Sequence, residues 1–132
     1  MVGETNLAKI LARLRPEMRP EVYVFCTVDR PRFAALNHIG LLACVFEEEG
    51  VTLVIPETVA RAEGLLSVGP FRCITLQVHS SLEGVGLTAT VATLLAKHEI
   101  AANLIAGYHH DHILVPAEHA DRAFALLQTL TP

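Results

Sequence analysis

A short pattern that occurs twice constrains the fold of this chain more than any other feature of its sequence. Val54-Ile55-Pro56 followed by Ala60 matches Leu114-Val115-Pro116 followed by Ala120, at a constant offset of 60 residues. In each copy an apolar strand runs through proline, which suits the first turn of a helix, into a segment rich in alanine. A repeat at one offset, with the same order of elements around it, predicts a duplicated architecture.

We therefore expect two α+β units, the first in residues 1–68 and the second in residues 69–132. The second unit has the order strand, helix, strand, strand, helix. We predict these elements at Phe71 to Val78, Leu87 to His98, Ile100 to Ala106, Ile113 to Val115 and Pro116 to Leu130. This order is typical of the split βαβ arrangement of ferredoxin-like folds. A right-handed crossover then makes the first two strands parallel and places the third strand between them, antiparallel to both.

The elements of the first unit are predicted in the same way, from apolar periodicity and from the positions of proline and glycine. A helix capped by Thr5 is expected to run to about Arg15, where prolines follow. A buried strand is predicted at residues 22–28, a loop that can hold one helical turn at residues 29–40, and a hairpin of strands at residues 42–46 and 51–55. Pro56 is expected to open a short helix that ends near residue 64.

Composition excludes several classes of function. Of the 132 residues, 52% are hydrophobic and the mean hydropathy is +0.42, so the chain must bury apolar surface in a dense fold or at an interface. No apolar run approaches the roughly 18 residues of a membrane span. The net charge is −4 and the basic residues are scattered, which argues against a nucleic-acid partner.

Cysteine usage and the first residues indicate a compartment. The three cysteines are odd in number and widely spaced, each in an apolar run, so we interpret them as buried free thiols: Cys26, Cys44 and Cys73. Lys9 and Arg13 interrupt the only candidate apolar region of a signal peptide. These two features together favour the cytoplasm.

Polar residues gather at one edge of the second unit. The predicted strand order brings the loop from His79 to Gly86 beside the turn from Gly107 to His112. The loop enters the N-terminus of a helix, where free N–H groups and the helix dipole favour a carboxylate, and its glycines permit close approach. Asp111 in the turn can pair with an ammonium group. A carboxylate acceptor and an amine partner at one edge predict an amino-acid ligand.

The same residues carry a resemblance to a known family. The run from Ser81 to Leu87, the segment from Ile100 to Tyr108 and the run from Asp111 to Pro116 resemble an ACT domain. ACT domains are regulatory βαββαβ modules with antiparallel sheets that commonly bind amino acids at domain or subunit interfaces. The chain is similar to tandem ACT-like proteins of bacteria and to cytosolic arginine sensors, and the resemblance extends to residues 3–8 and 23–28.

The resemblance implies a ligand-binding set and a homodimer. The ligand-binding residues are expected in the glycine loop, at the turn and, from across a dimer interface, at the start of the second strand: Glu83, Gly84, Val85, Gly86, Ala101, Ala102, Asn103 and Asp111. The turn departs from the usual pattern, because Ala106 and Gly107 stand where Ser and Thr are common. His110 and His112 likewise replace Thr and Tyr, so the hydroxyl contacts are not carried over.

Other interpretations of the polar residues at this sheet edge remain open. His79, His112, Asp111 and Glu83 could converge on a metal, although their spacing matches no zinc pattern and a solvated turn is the simpler interpretation. Ser80 and Ser81 beside His79 invite a nucleophile, but adjacent strand residues point to opposite faces and no nucleophile or nucleotide motif is present. We therefore expect no enzyme activity, cofactor or metal. A partner-interaction protein with a degenerate ACT pocket is the alternative function.

Overall fold

The computed structural model describes residues 3–38 and 40–132, which divide into two compact units. The smaller unit is Glu21–Phe71, and the larger unit combines Met1–Pro20 with Arg72–Pro132. Ile39, inside the predicted loop of residues 29–40, lies outside the described residues, as do the first two residues of the predicted first domain.

The elements follow the predicted alternation closely. The helices are α1 (Leu7–Ala12), α2 (Arg30–Ala35), α3 (Glu57–Ala62), α4 (Leu87–Lys97) and α5 (Ala120–Gln128), with a 3-10 turn at Ala117–His119. The strands are β1 (Pro16–Val28), β2 (Ala43–Phe46), β3 (Val51–Pro56), β4 (Val68–Leu76), β5 (Asn103–Ala106) and β6 (Asp111–Pro116). Across residues 3–38 and 40–132, no helix has the length and apolar content to cross a membrane.

In the larger unit the strand order is β1, β4, β6, β5, with the first five residues of β1 at one edge. The third strand of the predicted split βαβ, β6, lies between β4 and β5, which confirms the crossover prediction. Strands β5 and β6 are antiparallel, and Ala106 pairs with Asp111 in their register. The ferredoxin-like class expected from the sequence is therefore confirmed in this unit.

In the smaller unit the order is β2, β3, β1, followed by the first residues of β4. Strands β2 and β3 form the predicted hairpin, and β3 pairs antiparallel with β1. Helix α2 occupies part of the predicted loop, since the Asp29 carboxylate caps it by accepting a 2.8 Å hydrogen bond from the Arg32 N–H.

Each unit completes its sheet with a piece of strand from the other half of the sequence. The division falls inside β1, after Pro20, and inside β4, after Phe71. The compact units are consequently discontinuous in sequence. The boundary between residues 68 and 69 stays a prediction about the duplicated sequence.

The core of the larger unit explains why the N-terminal residues belong to it. Ile10 and Leu14, in and just after α1, are fully buried among the apolar faces of α4, α5, β4 and β6. Helix α4 contributes Leu87, Val91 and Leu95, whose spacing of four residues places them on one face of the helix. The smaller unit has a separate core built on alternating residues of β1 and β3.

Two local predictions were wrong. The cap of α1 is Asn6, whose side chain accepts a 3.1 Å hydrogen bond from the Lys9 N–H, and not Thr5. The helix also ends at Ala12, before the prolines, and Pro16 and Pro20 lie inside β1, where they were expected only to stop the helix. Arg15, with a φ of 44°, lies between the two elements. The cysteines are free, with Cys26 and Cys73 buried and Cys44 half-buried.

Candidate functional site

The N-terminal segment of the larger unit pairs with the loop that follows β4. Glu4 and Ser80 form a parallel bridge: the Glu4 N–H donates to the His79 carbonyl at 3.0 Å, and the Ser81 N–H donates to the Glu4 carbonyl at 2.8 Å. A Cβ at Gly3 would lie 2.8 Å from the Ser80 backbone, so only glycine allows this approach. The sequence offered no signal for this pairing apart from the glycine itself.

The loop after β4 is a tight turn organised by Ser81. This buried residue accepts hydrogen bonds at its hydroxyl from the Glu83 N–H (3.1 Å) and at its carbonyl from the Gly84 N–H (3.0 Å). Gly86 then begins α4 in the left-handed region, with a φ of 109° and no side-chain cap. The first turn of α4 therefore presents backbone N–H groups that no capping side chain occupies.

Asp111 stands at the first position of β6 and faces this loop. The Ser80 hydroxyl donates to its carboxylate at 3.4 Å, and the side chain is half-buried. Burial raises the pKa of Asp111, while the Ser80 hydrogen bond and the charge of His110 partly offset that effect. The carboxylate is thus poorly solvated and would gain from a positive group beside it.

These parts enclose a cleft of about 110 Å³. Its lining residues come from α1, the loop after β4, the start of α4 and the β5–β6 turn: Ile10, Ser80, Ser81, Leu82, Gly84, Gly86, Leu87, Thr88, Ala106 and Asp111. The geometry therefore brings together three of the predicted residues, Gly84, Gly86 and Asp111, as the sequence-based strand order required. Reasoning from the sequence missed Ile10, because it treated α1 as part of the other half of the chain.

The remaining predicted residues lie outside this cleft. Glu83 and Val85 are exposed on the loop. Ala101 and Ala102 precede β5, and Asn103 begins it; Asn103 pairs with Leu114, three positions along β6 from Asp111. Their contact with a ligand across a dimer interface stays a prediction.

The histidines of the turn make separate contacts. In the part of the chain that the structure describes, no three His, Cys, Asp or Glu side chains come together as metal ligands. His79 and His109 have ring centroids 5.7 Å apart. His112 is engaged elsewhere, with its Nδ1 2.9 Å from the Thr75 hydroxyl.

His112 belongs to a polar chain along the sheet. The Arg19 guanidinium donates to the Thr75 hydroxyl at 3.1 Å, which leaves the hydroxyl hydrogen free to donate to Nδ1 of a neutral imidazole. Burial lowers the pKa of His112, and the positive charges of Arg19 and His110 lower it further. His112, which stands where the family pattern has tyrosine, thus contacts Thr75 and does not line the cleft.

Comparison with known proteins places this fold among tandem pairs of ferredoxin-like units. ACT domain models match residues 2–72 and residues 68–129. The chain belongs to the ACT domain family and carries two such domains in tandem, which confirms the resemblance stated from the sequence. No functionally curated protein matches it.

A crystal structure of a protein of unknown function from Vibrio cholerae, a possible transport protein, is 44% identical over 96% of each chain, with a TM-score of 0.83. The regulatory subunit of aspartate kinase from Thermus thermophilus is 12% identical over 91% of this chain and 99% of its own, with a TM-score of 0.62. E. coli aspartokinase III in complex with aspartate and ADP is 12% identical over 90% of this chain and 34% of its own, with a TM-score of 0.65. The last two similarities show the fold.

Proposed function

We propose that this protein is a non-catalytic regulatory protein that binds an amino acid in the cleft between the loop after β4 and Asp111. One observation carries the proposal. The half-buried Asp111 carboxylate and the uncapped first turn of α4 line the same cleft of about 110 Å³. These two parts of the lining therefore have opposite electrostatic preferences.

The two preferences match the two charges of an amino acid. The N–H groups of the first turn of α4 and its dipole favour the ligand carboxylate, and Gly84 and Gly86 keep that wall free of side chains. The ligand ammonium group pairs with Asp111 and replaces the solvent that burial has removed. A zwitterion satisfies both parts of the lining, whereas an amine or a carboxylate alone satisfies one.

Further observations support this function. The protein shares its fold with an aspartate kinase regulatory subunit and with aspartokinase III, which was solved in complex with aspartate. The three free thiols fit a reducing compartment, so we place the protein in the cytoplasm.

The test is thermal denaturation with each of the common amino acids in turn. A ligand present at 100 times its Kd should add about 2.7 kcal/mol to the stability. The N-acetylated and carboxamide forms of that ligand should each lose the shift, because each removes one of the two charges. If no amino acid shifts the Tm, the alternative of a partner-interaction protein with a degenerate pocket gains support.

Asp111→Asn tests the assignment of the site. The amide keeps the size of the side chain and removes the charge, so the affinity for the amino acid should fall by about tenfold or more. The matched control is Asp121→Asn, an exposed position on α5 outside the cleft. Unchanged affinity in Asp111→Asn would move the site elsewhere.

A further inference from the structure

The larger unit contains a second cleft, of about 390 Å³, beside the N-terminal segment. Its lining is drawn from the end of α1, the connection to β1 and the residues after β4: Glu4, Lys9, Arg13, Arg15, Gln77, Val78 and His79. None of these residues lines the cleft beside Asp111. The two clefts can therefore be tested separately.

The second cleft concentrates positive charge in an acidic protein. Lys9, Arg13 and Arg15 line it, and none of the three has a salt bridge within the described ranges. Glu4 is the single carboxylate of the lining, so the three basic residues leave an excess of two positive charges in the cleft, although the chain carries −4. Such a cleft attracts and holds anions.

Glu4 does not neutralise this charge through a salt bridge. Its Oε1 accepts hydrogen bonds from the backbone N–H groups of Thr5 (3.1 Å) and Asn6 (3.0 Å). These bonds, led by that of Asn6, and the charges of Lys9 and Arg13 hold the pKa of Glu4 below its usual range. The carboxylate is committed to the backbone, and the cationic groups keep their capacity to bind a ligand.

Arg15 contributes a second observation. It is one of two described non-glycine residues with a positive φ, at 44°, a conformation that costs free energy for most side chains. The Gln77 N–H donates to its carbonyl at 3.2 Å and ties this backbone to the residue beside it in the cleft. The strained position presents a third cationic side chain to the cleft.

We propose that this basic cleft is a binding site for a small phosphate-bearing molecule, distinct from the amino-acid cleft. A phosphoryl group carries close to two negative charges and accepts paired hydrogen bonds from a guanidinium, so two arginines and a lysine match it. A zwitterionic amino acid has no net charge and leaves the excess of two unmatched. The proposal goes beyond the function proposed above and does not depend on it.

The test is calorimetric titration of the whole protein with inorganic pyrophosphate at constant ionic strength. We expect binding that Arg13→Gln weakens by about tenfold or more, because a charge-assisted hydrogen bond is lost. Lys97→Gln removes an exposed cation at the end of α4, outside the cleft, and should leave the affinity unchanged. Equal affinity in Arg13→Gln and Lys97→Gln, or no binding at all, would overturn the proposal.

Glu4→Gln gives a second test, in which the affinity for pyrophosphate should rise instead of fall. The glutamine Oε1 can still accept the two backbone hydrogen bonds, so the loop is kept while the repulsive charge is removed. Pyrophosphate should bind about three- to tenfold more tightly. A loss of affinity in this variant would show that the anion does not bind near Glu4.

Two controls test the chemical class of the ligand and the location of its binding site separately. Citrate tests whether carboxylates suffice: weaker binding than pyrophosphate supports a phosphoryl ligand, and stronger binding contradicts it. Asp111→Asn should leave pyrophosphate affinity intact whether or not an amino acid binds beside Asp111. Loss of pyrophosphate binding in that variant would contradict the separation of the two clefts.

Discussion

Asp111 shows what can be learned about one residue before its surroundings are known. Its place directly after a polar turn and before an apolar strand predicted a position at the sheet edge, beside the loop after β4. Its half-burial and the 3.4 Å hydrogen bond from Ser80 could not be predicted, because both depend on how the loop closes over the strand.

The raised pKa of Asp111 has a consequence for stability. Folding favours the neutral carboxyl, so this contribution is fully present below the unfolded pKa of about 3.9 and is lost as the pH rises through the higher folded pKa. Asp111→Asn should therefore raise the Tm of the free protein at pH 7 by about 1–3 °C, a small change because the side chain is half-exposed.

The measurement is a series of thermal melts of Asp111→Asn and the unsubstituted protein from pH 3 to pH 7 (about one unit apart). The difference should be near zero at the acid end, where both side chains are neutral, and should grow as Asp111 ionises. A variant that is less stable at neutral pH would show that the carboxylate stabilises the fold.

The residues that depart from the family turn pattern lie in different surroundings. Ala106 lines the cleft and removes a hydroxyl there, whereas His112 contacts Thr75 on the sheet. We therefore expect Ala106 to affect the ligand specificity of the proposed site more directly than the histidines do. The sequence pattern alone treated these positions as equivalent.

At the scale of secondary-structure elements, apolar periodicity predicted the type and the bounds of an element well where one face of that element is buried. Helix α4 and the hairpin of β2 and β3 fall within a residue or two of their expected bounds. Helix α1 was expected from its spacing, yet its packing partner was not. A short apolar face indicates that one side of a helix is buried, but it does not identify the elements that cover that side.

Helix α1 gives a test of that packing. Leu14 follows α1, is fully buried in the core of the larger unit, and its replacement by alanine should cost about 2–5 kcal/mol in the free energy of unfolding. Leu66→Ala is the control, since Leu66 is 95% exposed and its loss should change stability by no more than about 0.5 kcal/mol.

Chemical denaturation gives the size of the effect, and hydrogen exchange gives its location. In Leu14→Ala the amides of α4 and α5 should lose more protection than those of α3, because Leu14 belongs to the core of the larger unit. Greater loss in α3 would contradict the assignment of residues 3–20 to the larger unit.

At the scale of the whole molecule, exposed apolar side chains suggest a partner. Leu82, Val85 and Tyr108 are 65%, 85% and 62% exposed, and they belong to the loop after β4 and to the turn before β6. Large apolar groups in contact with water favour association. We propose that this face of the larger unit pairs with a second copy in a homodimer. The family resemblance implied a homodimer, but with Ala101, Ala102 and Asn103 at its interface.

Light scattering at micromolar concentration should give a mass near twice 14.3 kDa. Val85→Glu places a charge in the proposed interface and should shift the protein towards the monomer, whereas Leu66→Glu on the smaller unit should not. A monomeric unsubstituted protein, or equal effects of the two variants, would contradict this interface.

The sequence by itself determined the duplicated α+β architecture, the strand order of the second unit and the edge at which Gly84, Gly86 and Asp111 meet. These follow from local periodicity, turn residues and the handedness of crossovers, which act over short stretches of chain. Only the tertiary structure decided that residues 3–20 complete the larger unit, that Glu4 pairs with Ser80 and that Lys9, Arg13 and Arg15 line one cleft with Gln77. Such contacts join residues more than 50 positions apart in the sequence. Their partners are selected by packing in three dimensions, which no local pattern records.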